Sequence, residues 1–382
     1  MGERYDGRAM SITTLLLFLL ILSVLVFAHE LGHFVMAKRA GMKVDEFGFG
    51  FPPRLFGVKR GDTLYSVNAI PLGGFVRIKG ESGEHRGESD SFSSKSLWAR
   101  FLVLIAGVAM NVLVAGLLYG IGFTIGMPSV LDGGLPASAE VTDRKLEVMA
   151  VAPQSPAATS GIVSGDAIVS LDGQVFETAD AARTYILENG DKGIEVVVQK
   201  TDGTFVTYPL TAADIPETQI HGLGVGIVTT GIVSYPAHLA FVYGFGGAFT
   251  ATRDVAWAFG DLIKTLVVEQ KVNVELSGPV GIAVMTGEVA KLGFVYVLQF
   301  AAILSVNLAV INVLPFPALD GGRLLFLFIE AVRRRAVDEK TEAVVHNIGF
   351  ALLMALVVLV TYRDFVKFGG QMWGAIRGFV GM

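Results

Sequence analysis

The chain has 382 residues and no cysteine, and only 17% of it is Asp, Glu, Lys or Arg. The first absence excludes disulfides and thiolate metal sites, so any metal must be held by His, Asp and Glu. The second sets the chain apart from soluble domains, which run near a quarter charged. With 52% hydrophobic residues, the composition describes an integral membrane protein carrying some soluble mass. A net charge of −5 argues against a nucleic-acid partner.

Four segments are long and apolar enough to cross a bilayer: 11–37, 97–126, 292–332 and 345–362. Arg4 and Arg8 precede the first, as in a signal peptide. Its apolar run is too long for a cleaved leader, however, and no A-x-A-like site lies ahead of His29, so it is read as a retained helix. The loop 38–96 is rich in Lys and Arg, including Lys38, Arg39, Lys43, Arg54, Lys59 and Arg60, and Arg333, Arg334 and Arg335 follow the third span. The positive-inside bias places both loops in the cytoplasm and the acidic stretch from Asp132 to Glu217 outside.

Residues 127–231 read as a β-rich soluble domain, with strands at Leu146–Val151, Ala167–Leu171, Ile194–Gln199 and Thr204–Tyr208 separated by turn dipeptides such as Asp172-Gly173. Ser155 to Gly161, followed by Gly165-Asp166, resembles the helix and turn of a PDZ domain; a small β-barrel is the alternative. The segment 232–291 contains a stretch, 235–270, that is apolar but carries Arg253, Asp254, Asp261 and Lys264. It is expected to lie as an amphipathic helix on the outer membrane surface. A tail, 363–382, completes the chain. In loop 38–96, Tyr65–Ile70 and Phe75–Lys79 read as strands flanking Pro71-Leu72-Gly73-Gly74, a hairpin whose exposed edge could take up an extended segment.

Two interruptions of the apolar runs carry chemistry. The first is His29-Glu30-Leu31-Gly32-His33. Ionisable groups are costly at membrane depth and are functional candidates by default. On a helix His29 and His33 share a face one turn apart, which lets both imidazoles reach one zinc ion, with Glu30 beside them as general base. Catalytic zinc keeps three protein ligands. The second interruption, Asn312-Val313-Leu314-Pro315-Phe316-Pro317-Ala318-Leu319-Asp320-Gly321-Gly322, breaks the backbone ladder at depth, which persists only where it is buried or lines a cavity. It offers Asp320 as the third ligand; capping of the following helix is its alternative role.

Together these motifs resemble the site-2 protease family of intramembrane zinc metalloproteases, most closely its bacterial RseP type. Further matches are Glu46–Pro52, Pro71–Phe75 and Ser277–Gly281, so the resemblance covers nearly the whole chain. It implies a polytopic α-helical membrane protein with four transmembrane helices, an inserted PDZ-like domain and a membrane-associated β-hairpin. It implies Zn²⁺ on His29, His33 and Asp320, Glu30 as base, and substrate contacts from Asn312, Asn307, Gly73 and Gly74. Asn312 would meet the reacting carbonyl, whereas Asn307 suits an interhelical hydrogen bond better. Substrates would be single-span membrane proteins of the anti-sigma-factor kind, already trimmed outside, and remnant signal peptides. The expected setting is the bacterial inner membrane, with the PDZ-like domain outside, binding a peptide or protein, and the active site toward the cytoplasm.

The sequence departs from the family pattern in two places. Gly107-Val108-Ala109-Met110-Asn111 has Val where the second-span motif usually has Pro, a change expected to affect packing more than chemistry. One PDZ-like domain stands where the best-known relatives have two. A metal transporter would need ligands along a path and repeated halves, and neither is present in the sequence. A catalytically dead scaffold would lack Glu30 or a ligand, and all are retained.

Overall fold

The computed structural model describes residues 12–81, 85, 87–215, 220–269 and 277–380. Ser11, Arg4, Arg8 and Glu217 lie outside them. The chain divides into two units: Met1–Ile121 with Phe241–Met382, and Gly122–Ala240.

In the first unit, α1 (Ile12–Arg39) leads into two long antiparallel strands, β1 (Val44–Arg60) and β2 (Thr63–Ile78), and then α2 (Leu97–Ile125). Both strands fold over on themselves. Phe47, Gly48 and Phe49 each pair with two stretches of β2, one at 65–67 and the other at 74–76, while 56–60 pairs with 63–67. The result is a four-row sheet with Gly74–Ile78 along one edge. Tyr65–Ile70 and Phe75–Lys79 therefore do not form the two arms of a hairpin. Both belong to β2 and pair with β1, and the reversal falls at Gly61-Asp62, where Gly61 adopts a positive φ.

The edge row of β2 tracks α1. The Ser23 hydroxyl donates to the Pro71 carbonyl at 2.5 Å. A Cβ on Gly73 would lie 2.6 Å from Val26, and one on Gly74 would lie 3.1 Å from Phe27. Both glycines are buried, and their lack of a side chain brings β2 against the turn of α1 that precedes His29.

The second unit begins at the end of α2 and carries β3 (Met127–Val130), β4 (Glu140–Val151), α3 (Pro156–Ser160), β5 (Ala167–Leu171), α4 (Ala179–Asn189), β6 (Ile194–Gln199), β7 (Phe205–Leu210), β8 (Ala213–Ile215), β9 (Ile220–Gly222) and β10 (Val225–Ser234). Six of these strands form one antiparallel sheet in the order β3-β10-β4-β5-β6-β7. Its core includes Leu146, Val148, Ile168, Leu171, Val196, Val198 and Ile227. Ser155 caps α3 through the Ala158 N–H, and Gly161 ends it in the left-handed conformation.

The chain then returns to the first unit through α5 (Ala237–Lys264), α6 (Pro279–Leu292), α7 (Phe294–Val313), α8 (Asp320–Arg333) and α9 (Glu339–Val380). Among the described residues, four helices are long and apolar enough to cross a membrane: Ile12–Arg39, Leu97–Ile125, Phe294–Val313 and Lys340–Lys367. The expected third span, 292–332, is two helices, because Pro315 and Pro317 lack the N–H groups a continuous helix needs. The expected tail, as far as Val380, is a continuation of α9. Of the stretch 235–270, read as a surface helix, Ala237–Lys264 forms α5 and packs against α2 and α7. Phe241 and Phe245 lie against Gly120 and Gly116 of α2, and Ala248 packs with Ala302 and Val306 of α7.

Candidate metal centre

His29 and His33 lie one turn apart on α1, and both are almost wholly buried. Their Nε2 atoms are 3.1 Å apart. Asp320 Oδ2 lies 2.9 Å from His29 Nε2 and 3.1 Å from His33 Nε2. Three donor atoms thus form a nearly equilateral triangle. Tetrahedral ligands about 2.0–2.1 Å from a zinc ion would stand roughly 3.3 Å apart, so the triangle fits that ion with a small expansion. Two imidazole nitrogens and one carboxylate oxygen facing a single point suit a shared cation. Among the described residues this is the one group of three His, Asp or Glu side chains close enough to hold a metal.

Asp320 arrives through the break after α7. Phe316 N–H donates to the Leu314 carbonyl, and Ala318 takes a positive φ of 81°. The Ala318 N–H donates to His346 Nδ1 of α9 at 2.9 Å, fixing a turn that L-residues seldom adopt. A Cβ on Gly321 would lie 2.1 Å from the Leu314 carbonyl, so the first turn of α8 folds tightly onto the break. Asp320 is the first residue of α8 and Leu319 its cap; no side-chain cap bond is made. The capping role considered for Asp320 is not the one it plays here, because its carboxylate is turned to the imidazoles.

Glu30 is held by β2, whose Val76 N–H donates to Glu30 Oε2 at 3.1 Å. Asn312 is half-buried in the last turn of α7, and neither it nor Asn307 makes a side-chain hydrogen bond among the described residues. The interhelical bond expected of Asn307 is made by Ser305, whose hydroxyl donates to the Asn111 carbonyl at 2.8 Å. Gly73 and Gly74 face α1, as described above.

The sequence motif on α2 has more to do with the site than expected. A Cβ on Gly107 would lie 2.4 Å from His33 Nε2 and 2.8 Å from His29 Cε1, so α2 forms the wall against which both rings rest. Gly32 approaches the Ala106 carbonyl just as closely. His33 Nδ1 donates to the Val103 carbonyl at 2.8 Å, and Asn111, fully buried, reaches His29 Nδ1 at 3.3 Å. The spacing of Gly107 and Asn111, four residues apart on one helical face, was the available signal. His346 carried none, being remote in sequence from both motifs.

The profile of Peptidase family M50 matches residues 17–356, and the chain belongs to that family. It is a zinc metalloprotease of multi-pass membrane type, an intramembrane protease. The chain is 32% identical to the regulator of sigma-W protease RasP of Bacillus subtilis, across 93% of this chain and 99% of that one. It is 30% identical to the zinc metalloprotease RasP of Geobacillus kaustophilus, across 94% and 99%. Among solved structures, the PDZ domain of an SdrC-like protein from Listeria monocytogenes covers 23% of this chain and 92% of its own, at 22% identity and a TM-score of 0.21.

Proposed function

We propose that His29, His33 and Asp320 hold the zinc ion, that Glu30 is the general base, and that the substrates are single-span membrane proteins cut within the membrane. The convergence of two Nε2 atoms and one Oδ2 within 3.1 Å carries this reading. Held by His29, His33 and Asp320, a zinc ion would supply Lewis acidity to activate water and polarise the scissile carbonyl. Glu30, anchored at one oxygen by Val76, takes the proton of the attacking water and passes it to the leaving amine. Asn312, its side-chain amide uncommitted, donates to the developing oxyanion, a contact worth about 3 kcal/mol.

A substrate helix has to lose its own hydrogen bonds before its amide can be attacked. The Gly74–Ile78 row is an edge of the β1–β2 sheet and meets Glu30 through the Val76 N–H, so an extended segment pairing along that edge is brought close to the base. Gly73 and Gly74 serve that pairing by holding the edge against α1. By resemblance, the substrate class is a membrane-anchored anti-sigma factor or a leftover signal peptide, and the setting is the bacterial inner membrane.

The β-rich unit, read as a PDZ-like domain outside the cytoplasm, offers a second peptide site. β10 pairs with β4 along its length, but β3 covers only Thr230–Val233 of its other edge. Val225–Ile227 borders a cavity of about 530 Å³ facing Arg183, Ile186 and Leu187 of α4, which fits a peptide strand.

The deciding experiment compares cleavage of a single-span test protein by wild type and Glu30→Gln in detergent or vesicles. Zinc content should be equal and cleavage should drop by about 10²–10⁴-fold in the variant, the usual contribution of a positioned base. Undiminished cleavage by Glu30→Gln would remove Glu30 from the mechanism.

A further inference from the structure

His29 and His33 differ in what stands behind them. Behind His33 is a main-chain carbonyl, Val103, which can only accept, so Nδ1 carries the proton and Nε2 presents a lone pair. Behind His29 is the amide of Asn111, which can face the ring with either oxygen or nitrogen. The two ends are not distinguished by shape, and their assignment follows from the hydrogen-bond network.

As placed, Asn111 Nδ2 faces His29 Nδ1 at 3.3 Å, and Asn111 Oδ1, buried, has no partner. That orientation requires a bare lone pair on Nδ1. The single proton of a neutral ring would then sit on Nε2, the atom that meets Asp320 Oδ2 and His33 Nε2. A protonated Nε2 cannot bind a cation. Rotating the amide half a turn brings Oδ1 against Nδ1–H and frees Nε2.

We propose that Asn111 is a positioning residue for the metal centre: its Oδ1 accepts from His29 Nδ1–H and holds that imidazole in the tautomer and orientation that expose Nε2 to zinc. It acts through His29 and does not touch the substrate. α2 then supports both imidazoles, through Val103 for one and Asn111 for the other. The main chain of Asn111 is fixed independently, since its carbonyl accepts from Ser305, so the side chain can be changed without releasing the helix contact. The inference rests on the ligand set proposed above.

The test measures zinc affinity of the full-length protein in detergent by competition with a chromophoric chelator. Asn111→Leu keeps similar bulk and loses the acceptor, and its zinc dissociation constant should rise 10- to 100-fold, as is usual when the partner behind a ligating histidine is lost. Asn111→Asp offers acceptor oxygens and no donor; it should bind zinc at least as tightly as wild type. A purely structural asparagine would be damaged by both changes, and one acting through its amide nitrogen would not be replaced by Asp. Wild-type affinity in Asn111→Leu overturns the proposal, and so does a tenfold or greater loss in Asn111→Asp. The Asp variant decides the matter even if the Leu variant fails to fold. His33→Ala is measured alongside: if it binds zinc as wild type does, the ligand set is wrong, whereas unchanged binding confined to Asn111→Leu refutes only the role of Asn111.

Discussion

The N–H of Val76 donates to Glu30 Oε2 across 3.1 Å, joining the edge of a β-sheet to the residue after a metal-site histidine. In an edge row this N–H points away from the β1 partner, so it can be removed without breaking the sheet. Val76→Pro should leave zinc content unchanged and lower the cleavage rate about tenfold, in line with the 1.5–3 kcal/mol typical of a hydrogen bond to a charged group. Rates measured at matched zinc occupancy check this. An unchanged rate would separate the strand edge from the base.

Asp320 is the one proposed ligand that comes from the carboxyl-terminal half. Asp320→Asn keeps its shape and removes its charge, and should weaken zinc binding by more than the roughly 100-fold ceiling of a supporting contact. Elemental analysis after dialysis against a mild chelator reads the loss directly. Added zinc should restore wild type after chelation and fail to restore the variant.

Gly107 has no room for a side chain beside either imidazole. Gly107→Ala should displace both rings and weaken zinc binding at least tenfold. Gly260→Ala on α5, where nothing lies within 4 Å of the added carbon, should be neutral or slightly stabilising. Equal zinc affinity in the two variants would contradict the packing described here.

In the β-rich unit, Lys200 donates to Asp166 Oδ2 at 2.7 Å, and Asp166 is fully buried. Lys200→Met strands that carboxylate and should cost about 3 kcal/mol. Denaturant unfolding of the full chain, followed by a probe in this unit, measures it. Asp166→Asn combined with Lys200→Met should recover part of the loss, because no unpaired charge remains.

His221 bonds Asp214 through Nδ1 and Asp191 through Nε2, each at 2.7 Å. These carboxylates, Asp214 foremost, raise its pKa above the ordinary imidazole value. Folding therefore favours the protonated ring. The stabilisation is complete below the unfolded-state pKa near 6.5 and is lost as pH climbs through the raised folded value. The Tm of this unit should drift down above about pH 6.5 in wild type and lose that component in His221→Gln.

The long apolar helices and the three side chains that the structure groups together were legible in the sequence, for a physical reason. His29, His33 and Asp320 are expensive where they sit, and the prolines after Asn312 announce a broken helix before the structure displays one. The strand Ile194–Gln199 was legible because buried side chains alternate with more exposed ones along it, and Ala167–Leu171 because the turn dipeptide Asp172-Gly173 bounds it. What the sequence obscured was pairing. Nothing in Tyr65–Lys79 says that both halves of one strand pair with β1, since that depends on how β1 folds over. Asn111 read as a packing residue because its partner, His29, lies 82 positions away. The place of α5 was hidden by its four charges, which outweighed the signal of Gly116, Gly120 and Phe245.

His29 and Asp320 are separated by 291 positions. A nascent chain entering the bilayer exposes its first two imidazoles and Glu30 long before the residue that completes the ion's cage has been synthesised. On this ligand set a chain truncated before α8 lacks the third donor to the ion. Hydrolytic competence arrives only when the last helices have docked, which makes correct assembly the safeguard against premature cutting.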